Sequence, residues 1–233
     1  MLETQDMISF DEAGVCATCH QIEYKQQKID WVEREKELVR VLDEYRGKGT
    51  HDCIIPFSGG KDSTFQAYTL ARKYKLRPLI VSFDHGFMRP GVIENTERTI
   101  KKLGIDYIKF KPDWQTVKKL MRESFIRKGD IMWHSHCGIY SYPMHMAVKF
   151  NIPLIFYGES GEVEYGGSLK NAPVPFEKPD DWKDFYYKGS GIDDLVRHGL
   201  EVGVLSEEEV RNNPCHLYRL PDIKEMERVN PHM

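Results

Sequence analysis

The stretch CIIPFSGGKDSTFQAYTLARKY, residues Cys53 to Tyr74, determines how the rest of the chain is interpreted. Its apolar start, CIIPF, predicts a buried strand, and the segment from Asp62 to Tyr74 predicts a helix. Between them, Gly59 and Gly60 let backbone N–H groups approach a ligand closely. A helix also begins with unpaired N–H groups and the positive end of its dipole. The stretch therefore predicts an anion site, above all a phosphate site.

The polar residues of this loop narrow the kind of site. Lys61 adds a positive charge, and Ser58 and Ser63 add hydroxyl donors. The loop is neither GxGxxG nor a Walker A loop, because Ile55 and Asp62 stand where Walker A requires Gly and Ser or Thr. A carboxylate beside a phosphate is repulsive unless a divalent cation bridges them, so Asp62 predicts Mg²⁺. A simple glycine-rich turn before a capped helix explains the glycines but not the Lys-Asp pair.

Short apolar runs alternate with amphipathic runs along residues 51–168. Four strands are predicted at CIIPF, RPLIVSF, IDYIKFK and IPLIFYG. Helices are predicted at 62–74, at VIENTERTIKKLG, at 113–128 and at CGIYSYPMHMAVKF, where Pro143 should mark a start or a kink. This alternation predicts an α/β fold with a parallel sheet and helices on both faces. Ligands bind beyond the carboxyl ends of such strands, which selects the loops 58–63, 84–91 and 158–167.

The chain divides into three parts. Residues 1–50 form an N-terminal segment with a CxxC motif and a helix. Asp30 is expected to cap this helix, and Gly47 and Gly49 to end it. Its apolar stripe consists of Trp31, Leu38, Leu42 and Tyr45 and predicts packing on a core. Residues 51–168 form the nucleotide-binding α/β domain. Residues 169–233 form a C-terminal extension, in which Ser206 and Glu209 resemble a capping box.

Composition excludes several classes of protein. The 233 residues are 40% hydrophobic and 30% charged, with a net charge of −3. There is no general excess of basic residues, so we expect no nucleic-acid partner. No apolar run approaches the roughly 20 residues of a membrane helix, and no signal pattern opens the chain. We therefore expect a cytoplasmic protein without membrane insertion; the five cysteines are too few for a disulfide scaffold, and an oligomer is possible.

The loop SGGKDS resembles the signature of the PP-loop ATP pyrophosphatases, and FDHGFMRP resembles a turn found after their second strand. The resemblance implies cleavage of ATP between its α and β phosphates, with adenylation of a substrate oxygen. It implies that the loop holds pyrophosphate and that Asp84 lies next to the nucleotide. The implied ATP-binding residues are Ser58, Gly59, Gly60, Lys61, Asp62, Ser63, Phe83, Asp84 and Gly158.

Three stretches together are similar to the N-acetyl sugar amidotransferases of bacterial surface-polysaccharide (lipopolysaccharide) and flagellin-glycan pathways. They are FDEAGVCATC, YRGKGTHDCIIPFSGGKDSTFQAYTL and IPLIFYGESGEVEYGG. The resemblance implies that the chain turns an acetamido group of a nucleotide-linked sugar into an acetamidino group, using ATP and ammonia and releasing AMP and pyrophosphate. No glutaminase signature is present, so a separate glutaminase subunit is expected to supply the ammonia.

The same resemblance suggests further site residues. Lys61, Asp62 and Glu159 are the catalytic candidates, with Asp62 and Glu159 as Mg²⁺ ligands or Glu159 orienting ammonia. Candidate substrate residues are Glu162, Tyr165, Gly166, Gly167 and His136. Glu162 fits equally well in a solvated acidic loop. The run WHSHCGIY, with His134, His136 and Cys137, fits either a substrate or metal contact or the start of a helix with buried aromatics.

Cys16 and Cys19 have the spacing of zinc ligands, but a structural zinc usually takes four. Related amidotransferases carry an earlier CxxC, and they continue beyond the end of this chain. The resemblance thus implies a chain shortened at both ends, with half of a Zn²⁺ site, completed by His20 or by nothing.

Two other functions are compatible with the loop. A PP-loop tRNA-modifying enzyme, of the thiolation or lysidine type, is disfavoured by the acidic balance, because RNA binding depends on phosphate neutralisation. A non-catalytic nucleotide-binding subunit of the same fold is disfavoured by Lys61 and Asp62, since a binder has no evident need for the aspartate.

Overall fold

The structure of the chain, a computed structural model, describes residues 8–158, 187, 190–213 and 215–233. It begins with helices α1 (Ala17–Gln27) and α2 (Trp31–Tyr45). The alternating part follows as β1 (Cys53–Pro56), α3 (Lys61–Tyr68) with a π-helical turn (Thr69–Lys73), β2 (Pro78–Phe83), α4 (Pro90–Leu103), β3 (Asp106–Phe110), α5 (Trp114–Lys128) and α6 (Trp133–Phe150). Then come α7 (Asp193–Glu201), α8 (Glu207–Asn212), a 3-10 turn (Cys215–Tyr218) and α9 (Ile223–Val229).

Strands β1, β2 and β3 form a parallel sheet in that order, with Ile54 opposite Leu79 and Leu79 opposite Asp106. The segment predicted as a fourth strand pairs in parallel with β1 through one bridge, between Ile54 and Ile155. Two hydrogen bonds hold it, from Ile54 N–H to the Leu154 carbonyl (2.8 Å) and from Phe156 N–H to the Ile54 carbonyl (2.9 Å).

On its other side this segment pairs with residue 232. His232 N–H donates to the Pro153 carbonyl (2.7 Å), and Ile155 N–H donates to the His232 carbonyl (2.8 Å). The segment is a bridged extension of the sheet rather than a regular strand. Pro153 has no N–H group to donate to a ladder, which is one reason why the segment pairs over so few residues.

Helices cover both faces of the sheet, which confirms the predicted fold class. Successive residues of a strand point to opposite faces, and the fully buried Ile54 and Ile55 enter different cores. The Ile54 side packs against α5, α6 and α7, and the Ile55 side packs against α2 and α3. None of the helices in the described ranges is long and apolar enough to span a membrane.

Several helix ends lie where the sequence predicts them. Asp30 accepts hydrogen bonds from the N–H groups of Val32 and Glu33 at the start of α2. Asp113 caps α5 by accepting from Thr116 N–H. Gly104 ends α4 in the left-handed conformation, with φ of 65°. The capping box of Ser206 and Glu209 is complete at the start of α8.

Other details differ from the prediction. The apolar stripe of α2 is buried at Leu42. The prediction that Trp31 also packs on the core is wrong, because Trp31 is 60% exposed. Helix α6 starts at Trp133, and Pro143 lies inside it rather than at its start. The helix predicted to reach Tyr74 is α-helical only to Tyr68 and continues as a π-helical turn.

Close packing fixes α6 against the carboxyl end of β2. A Cβ atom on Gly138 of α6 would lie 2.3 Å from the ring of Phe83, so no larger residue fits there without a shift. The Phe83 ring also packs edge-on against Tyr218, with centroids 5.2 Å apart. The first turn of α6 is thereby held near the edge of the sheet at which ligands are expected.

Candidate anion-binding site

The loop between β1 and α3 places no capping side chain at the start of the helix. Phe57 N–H still donates to the Val81 carbonyl (2.8 Å), so the chain leaves the sheet only at Ser58. Gly60, which has no side chain to cap the helix, is the N-cap of α3. The first N–H groups of a helix have no partner within it. Their direction and the helix dipole favour an anion at this point.

Gly59 requires glycine for two independent reasons. Its φ is +76°, in the left-handed region. A Cβ atom there would also lie 2.3 Å from Thr96 Oγ1 and 2.9 Å from Val92 Cγ1, both on α4. Helix α4 therefore forms a wall directly behind the loop.

The two loop serines contact each other and the loop backbone. Ser58 Oγ lies 3.2 Å from Ser63 Oγ and accepts a long hydrogen bond from Gly60 N–H (3.3 Å). The Ser63 hydroxyl donates to the Gly60 carbonyl at 3.4 Å. These long contacts hold the loop in shape, and an oxyanion with better geometry could replace them.

Lys61 and Asp62 form an ion pair in the first turn of α3, with Lys61 Nζ 2.6 Å from Asp62 Oδ2. The Lys61 side chain is 87% exposed and that of Asp62 47%. An exposed pair of this kind contributes little to folding stability. Both charges thus stand at the mouth of the loop, where a phosphate and a cation can exchange partners with them.

Gly158 lies beside the same helix end, at the carboxyl end of the bridged segment. A Cβ atom on Gly158 would be 3.7 Å from Ser63 N and 3.4 Å from Gln66 Oε1. The Gln66 side chain donates to the Tyr157 carbonyl at 2.6 Å. The structure thus brings Gly158 to the predicted loop, whereas the predicted residues Glu159, Glu162, Tyr165, Gly166 and Gly167 lie outside the described part of the chain.

The turn after β2 uses Asp84 for its own structure. Asp84 N–H donates to the Phe110 carbonyl (2.8 Å), and its carboxylate accepts from Gly86 N–H (2.9 Å). Lys109 Nζ is 3.9 Å from the same carboxylate, whose side chain is 12% exposed. Phe83 points its ring into the core. For a nucleotide, Phe83 therefore offers main-chain atoms only.

The histidines near this edge differ in character. His85 stacks on Phe87 with centroids 6.2 Å apart and accepts from Phe87 N–H through Nδ1 (3.2 Å). Neutral His85 therefore carries its proton on Nε2. Burial lowers the pKa of His85, partly opposed by Asp84. His136 is half exposed, with Nδ1 3.8 Å from Asp130, so it remains a substrate candidate.

His134 is a core residue. Its ring lies between the hydroxyls of Ser124 (3.3 Å) and Ser135 (3.1 Å). Burial lowers the pKa of His134 to about 4, so the ring is neutral near pH 7. Cys137 is also fully buried. For these two residues the structure supports the alternative of a helix start with buried aromatics.

The CxxC motif lies at the start of α1 and does not form a complete metal site with other described residues. Cys16 Sγ and Cys19 Sγ are 3.5 Å apart, and both thiols are free. Main-chain and side-chain hydrogen bonds with Cys19 lower the pKa of Cys16. His20 Nε2 instead contacts Asp11 Oδ2 at 2.8 Å. No cluster of three or more possible ligands occurs in the described ranges, and two thiols fall short of the four ligands of a structural zinc.

The loop itself suits a phosphate and Mg²⁺. Glycines 59, 60 and 158 place no side chain over the N-terminus of α3, and an added Cβ at Gly158 would lie 3.7 Å from Ser63 N. The Asp62 carboxylate is a ligand of the type Mg²⁺ prefers, and phosphate oxygens and waters would supply the other ligands. Cys53, the first residue of the strand predicted to be buried, is fully buried in β1.

Two residues that contact this site were not predicted. Asn95 of α4 and Gln66 of α3 hold the main chain of the loop and of the bridged segment through their side-chain amides. Gln66 is an ordinary helix residue, so nothing in the sequence indicates its contact with the bridged segment. Asn95 carries a weak one, because asparagine is a poor residue for the middle of a helix.

Comparisons with known proteins give partial matches. No protein-family model matches the chain. The chain is 27% identical over 129 residues to an uncharacterized protein of Methanocaldococcus jannaschii, covering 55% of this chain and 44% of that protein. It is 34% identical over 88 residues to a GMP synthase (glutamine-hydrolyzing) of Pyrobaculum aerophilum, covering 37% of this chain and 17% of that protein. The chain thus spans less than half the length of both relatives.

Among solved structures, one similar chain is described as a predicted subunit of tRNA methyltransferase from Methanocaldococcus jannaschii. The match has 17% identity and a TM-score of 0.36, and it covers 74% of this chain and 93% of that one. The fold itself is a parallel α/β sheet whose first strand leads through a glycine-rich loop into a helix.

Proposed function

We propose that this chain is an ATP-dependent amidotransferase. It would adenylate the acetamido oxygen of an N-acetylated, nucleotide-linked sugar and replace that oxygen with ammonia. The observation that carries the proposal is the placement of Gly59, Gly60 and Gly158 around the N-terminus of α3, at the carboxyl end of β1. The similarity of the chain to a GMP synthase adds support for the use of ATP.

The chemistry needs activation because the oxygen of an amide is a poor leaving group. Attack of the amide oxygen on the α-phosphorus forms an O–P bond, breaks the bond to the bridging oxygen and releases pyrophosphate. Ammonia then adds to the activated carbon, and the C–O bond breaks as AMP leaves. The former amide oxygen therefore ends in AMP, and the sugar carries an acetamidino group.

The residues of the loop have distinct roles in this proposal. Backbone N–H groups at the start of α3 and the ammonium of Lys61 would bind the pyrophosphate part of ATP. Asp62 would hold Mg²⁺ together with Glu159, and the bound ion supplies charge neutralisation. Glu159 would otherwise orient ammonia. Glu162, Tyr165, Gly166, Gly167 and His136 would contact the sugar, and a separate glutaminase subunit would deliver the ammonia.

The test follows the acetamido oxygen. The protein is incubated with ATP, Mg²⁺ and ammonium chloride, together with N-acetylated sugars labelled with ¹⁸O in the acetyl group and linked to UDP or CMP. We expect AMP that carries one ¹⁸O atom and a sugar that has exchanged O for NH. Release of ADP and phosphate would overturn the proposal. AMP and pyrophosphate formed only when unlabelled tRNA replaces the sugar would assign the chain to RNA modification instead.

Glu159→Gln tests the role of the carboxylate. We expect turnover to be lost while urea unfolding is unchanged, because the amide has the same shape but no charge. Gln26→Glu, at an exposed position of α1, serves as the charge-change control and should keep full activity. Retained turnover in Glu159→Gln would remove this residue from the mechanism.

A further inference from the structure

Helix α4 holds the loop through one side chain. Asn95 Nδ2 donates to the Gly59 carbonyl at 2.9 Å and approaches Thr64 Oγ1 at 3.4 Å. One amide group thus contacts the loop before α3 and the first turn of α3. Its two N–H hydrogens can serve both acceptors at once.

The orientation of the Asn95 amide is itself determined. Arg98, one turn further along α4, donates from Nη2 to Asn95 Oδ1 at 3.0 Å. Arginine has only donors, so it selects the rotamer in which Oδ1 faces Arg98 and Nδ2 faces Gly59. A flipped amide would place an oxygen against the Gly59 carbonyl.

Holding the Gly59 carbonyl also orients the next N–H group. The peptide bonds described here are trans, so the Gly60 N–H points away from the carbonyl that Asn95 holds. It is directed toward Ser58 Oγ, on the side of the loop opposite Asn95. Thr96 and Val92 close the space behind Gly59. The loop is therefore fixed before any anion arrives.

We propose that Asn95, oriented by Arg98, is a positioning residue that presets the loop for pyrophosphate binding. The inference rests on the pyrophosphate-binding part of the proposed function. Preorganised N–H donors bind an anion more tightly than donors that must first be ordered. Loss of the Asn95 donor should therefore weaken the binding of an anion at the loop, with little effect on the fold.

The test measures binding of inorganic pyrophosphate, in the presence of Mg²⁺, by titration calorimetry. Asn95→Asp replaces the donor with an oxygen that repels the Gly59 carbonyl, and we expect affinity to fall about tenfold or more. Asn95→Ser removes the amide that reaches the Gly59 carbonyl without adding charge, and it should weaken binding about fivefold. Arg98→Leu, which frees the amide to flip, should act in the same direction. Glu94→Gln, at an exposed position of the same helix, is the control.

A second readout separates positioning from stability. The amide NMR signals of Gly60 and Lys61 should move in Asn95→Ser and Arg98→Leu, while the urea midpoint stays close to that of the Glu94→Gln control. If the wild-type chain binds no pyrophosphate, the proposed function fails and this inference fails with it. If the wild type binds and all three variants bind equally well, only the role of Asn95 is overturned.

Discussion

Within the candidate site, Gly59 is the residue at which both the backbone conformation and the packing require glycine. Its positive φ costs a non-glycine residue about 1–2 kcal/mol, and the contact of 2.3 Å with Thr96 Oγ1 adds an overlap that the wall of α4 must absorb. We expect Gly59→Ala to lower the free energy of unfolding by about 3 kcal/mol and to abolish pyrophosphate binding. Urea denaturation and calorimetry measure both effects.

Gly104 offers a matched control for this substitution. It also has a positive φ, 65°, but a Cβ atom there would meet nothing within 4 Å. Gly104→Ala should therefore show the conformational cost alone, about 1–2 kcal/mol, with normal pyrophosphate binding. The double variant Gly59→Ala, Thr96→Ala should recover part of the lost stability. Equal costs at positions 59 and 104 would contradict the role of the wall.

Asp52 shows how a buried carboxylate can join two loops far from the site. It accepts from the N–H groups of Gly47 and Arg77 and from the Arg77 guanidinium, each at 2.8 Å. Burial alone would raise the pKa of Asp52, but the hydrogen bonds with Arg77 and Gly47 outweigh burial and lower it. The folded state therefore favours the ionised form.

The lowered pKa of Asp52 predicts a pH dependence of stability. A folded pKa below the unfolded value, about 4, stabilises the protein above that pH, and the contribution is lost as pH falls through the folded pKa. We expect Asp52→Asn to cost about 2–3 kcal/mol at pH 7 and progressively less as pH falls from about 5 to about 2. Urea unfolding across this range measures the difference; a constant difference would contradict the account.

At the scale of elements, Gln66 connects α3 to the segment that carries Gly158. Its amide donates to the Tyr157 carbonyl (2.6 Å), and the Tyr157 hydroxyl donates to the Tyr140 carbonyl of α6 (3.0 Å). The tyrosine rings also stack, with centroids 6.0 Å apart. Helices α3 and α6 are therefore both tied to the end of the bridged segment, and the position of Gly158 beside Ser63 depends on these ties.

We expect Gln66→Glu to displace this segment, because a carboxylate would face the Tyr157 carbonyl in place of an N–H donor. The value of kcat/KM for ATP-dependent pyrophosphate release should fall about tenfold in this variant. The decrease in kcat/KM should be smaller in Gln66→Ala. Gln26→Glu makes the same change at an exposed site on α1 and should have no effect. Full activity in Gln66→Glu would mean that Gly158 is positioned by other contacts.

Local chemistry explains which elements the sequence predicts well. Asp30, Asp113 and Gly104 act within one turn of a helix end, so their roles can be inferred without the fold. Pro143 is different, since a proline predicts either a helix start or a kink, and only the fold shows that it lies inside the buried α6. Trp31 lies on the apolar stripe of α2 but finds no core beside it and is 60% exposed. Periodicity predicts a face, and only the fold determines how far it is covered.

The candidate site follows the same division. Ser58, Gly59, Gly60 and Ser63 are adjacent in sequence, so a motif suffices to predict that they form one loop. Asn95 contacts Gly59 across 36 residues of chain, and Gln66 contacts Tyr157 across 91. Their partners are main-chain carbonyls, which every residue has, so no pattern of side chains in the sequence indicates the pairing.

At the scale of the whole molecule, the sheet joins two cores that share one set of strands. Ile54 lies in the core with α5, α6 and α7, together with the buried Trp133, and Ile55 lies in the core with α2 and α3. Both isoleucines are fully buried and adjacent in β1. Loss of either core would expose one face of the sheet to water, which costs the hydrophobic free energy of that face. The two cores should therefore unfold together.

We expect Ile54→Ala and Ile55→Ala each to lower the free energy of unfolding by about 2–5 kcal/mol, without a change in the denaturant m-value. Ile223→Ala is the control, because Ile223 is 68% exposed. Tryptophan fluorescence includes Trp133 in the first core, whereas far-UV circular dichroism reports the helices of both. In each variant the two signals should give one coincident urea transition, since a shared sheet transmits the loss of either face to the other. If Ile55→Ala lost helical signal before the fluorescence changed, the cores would be separable, and the loop at the end of β1 would depend on only one of them.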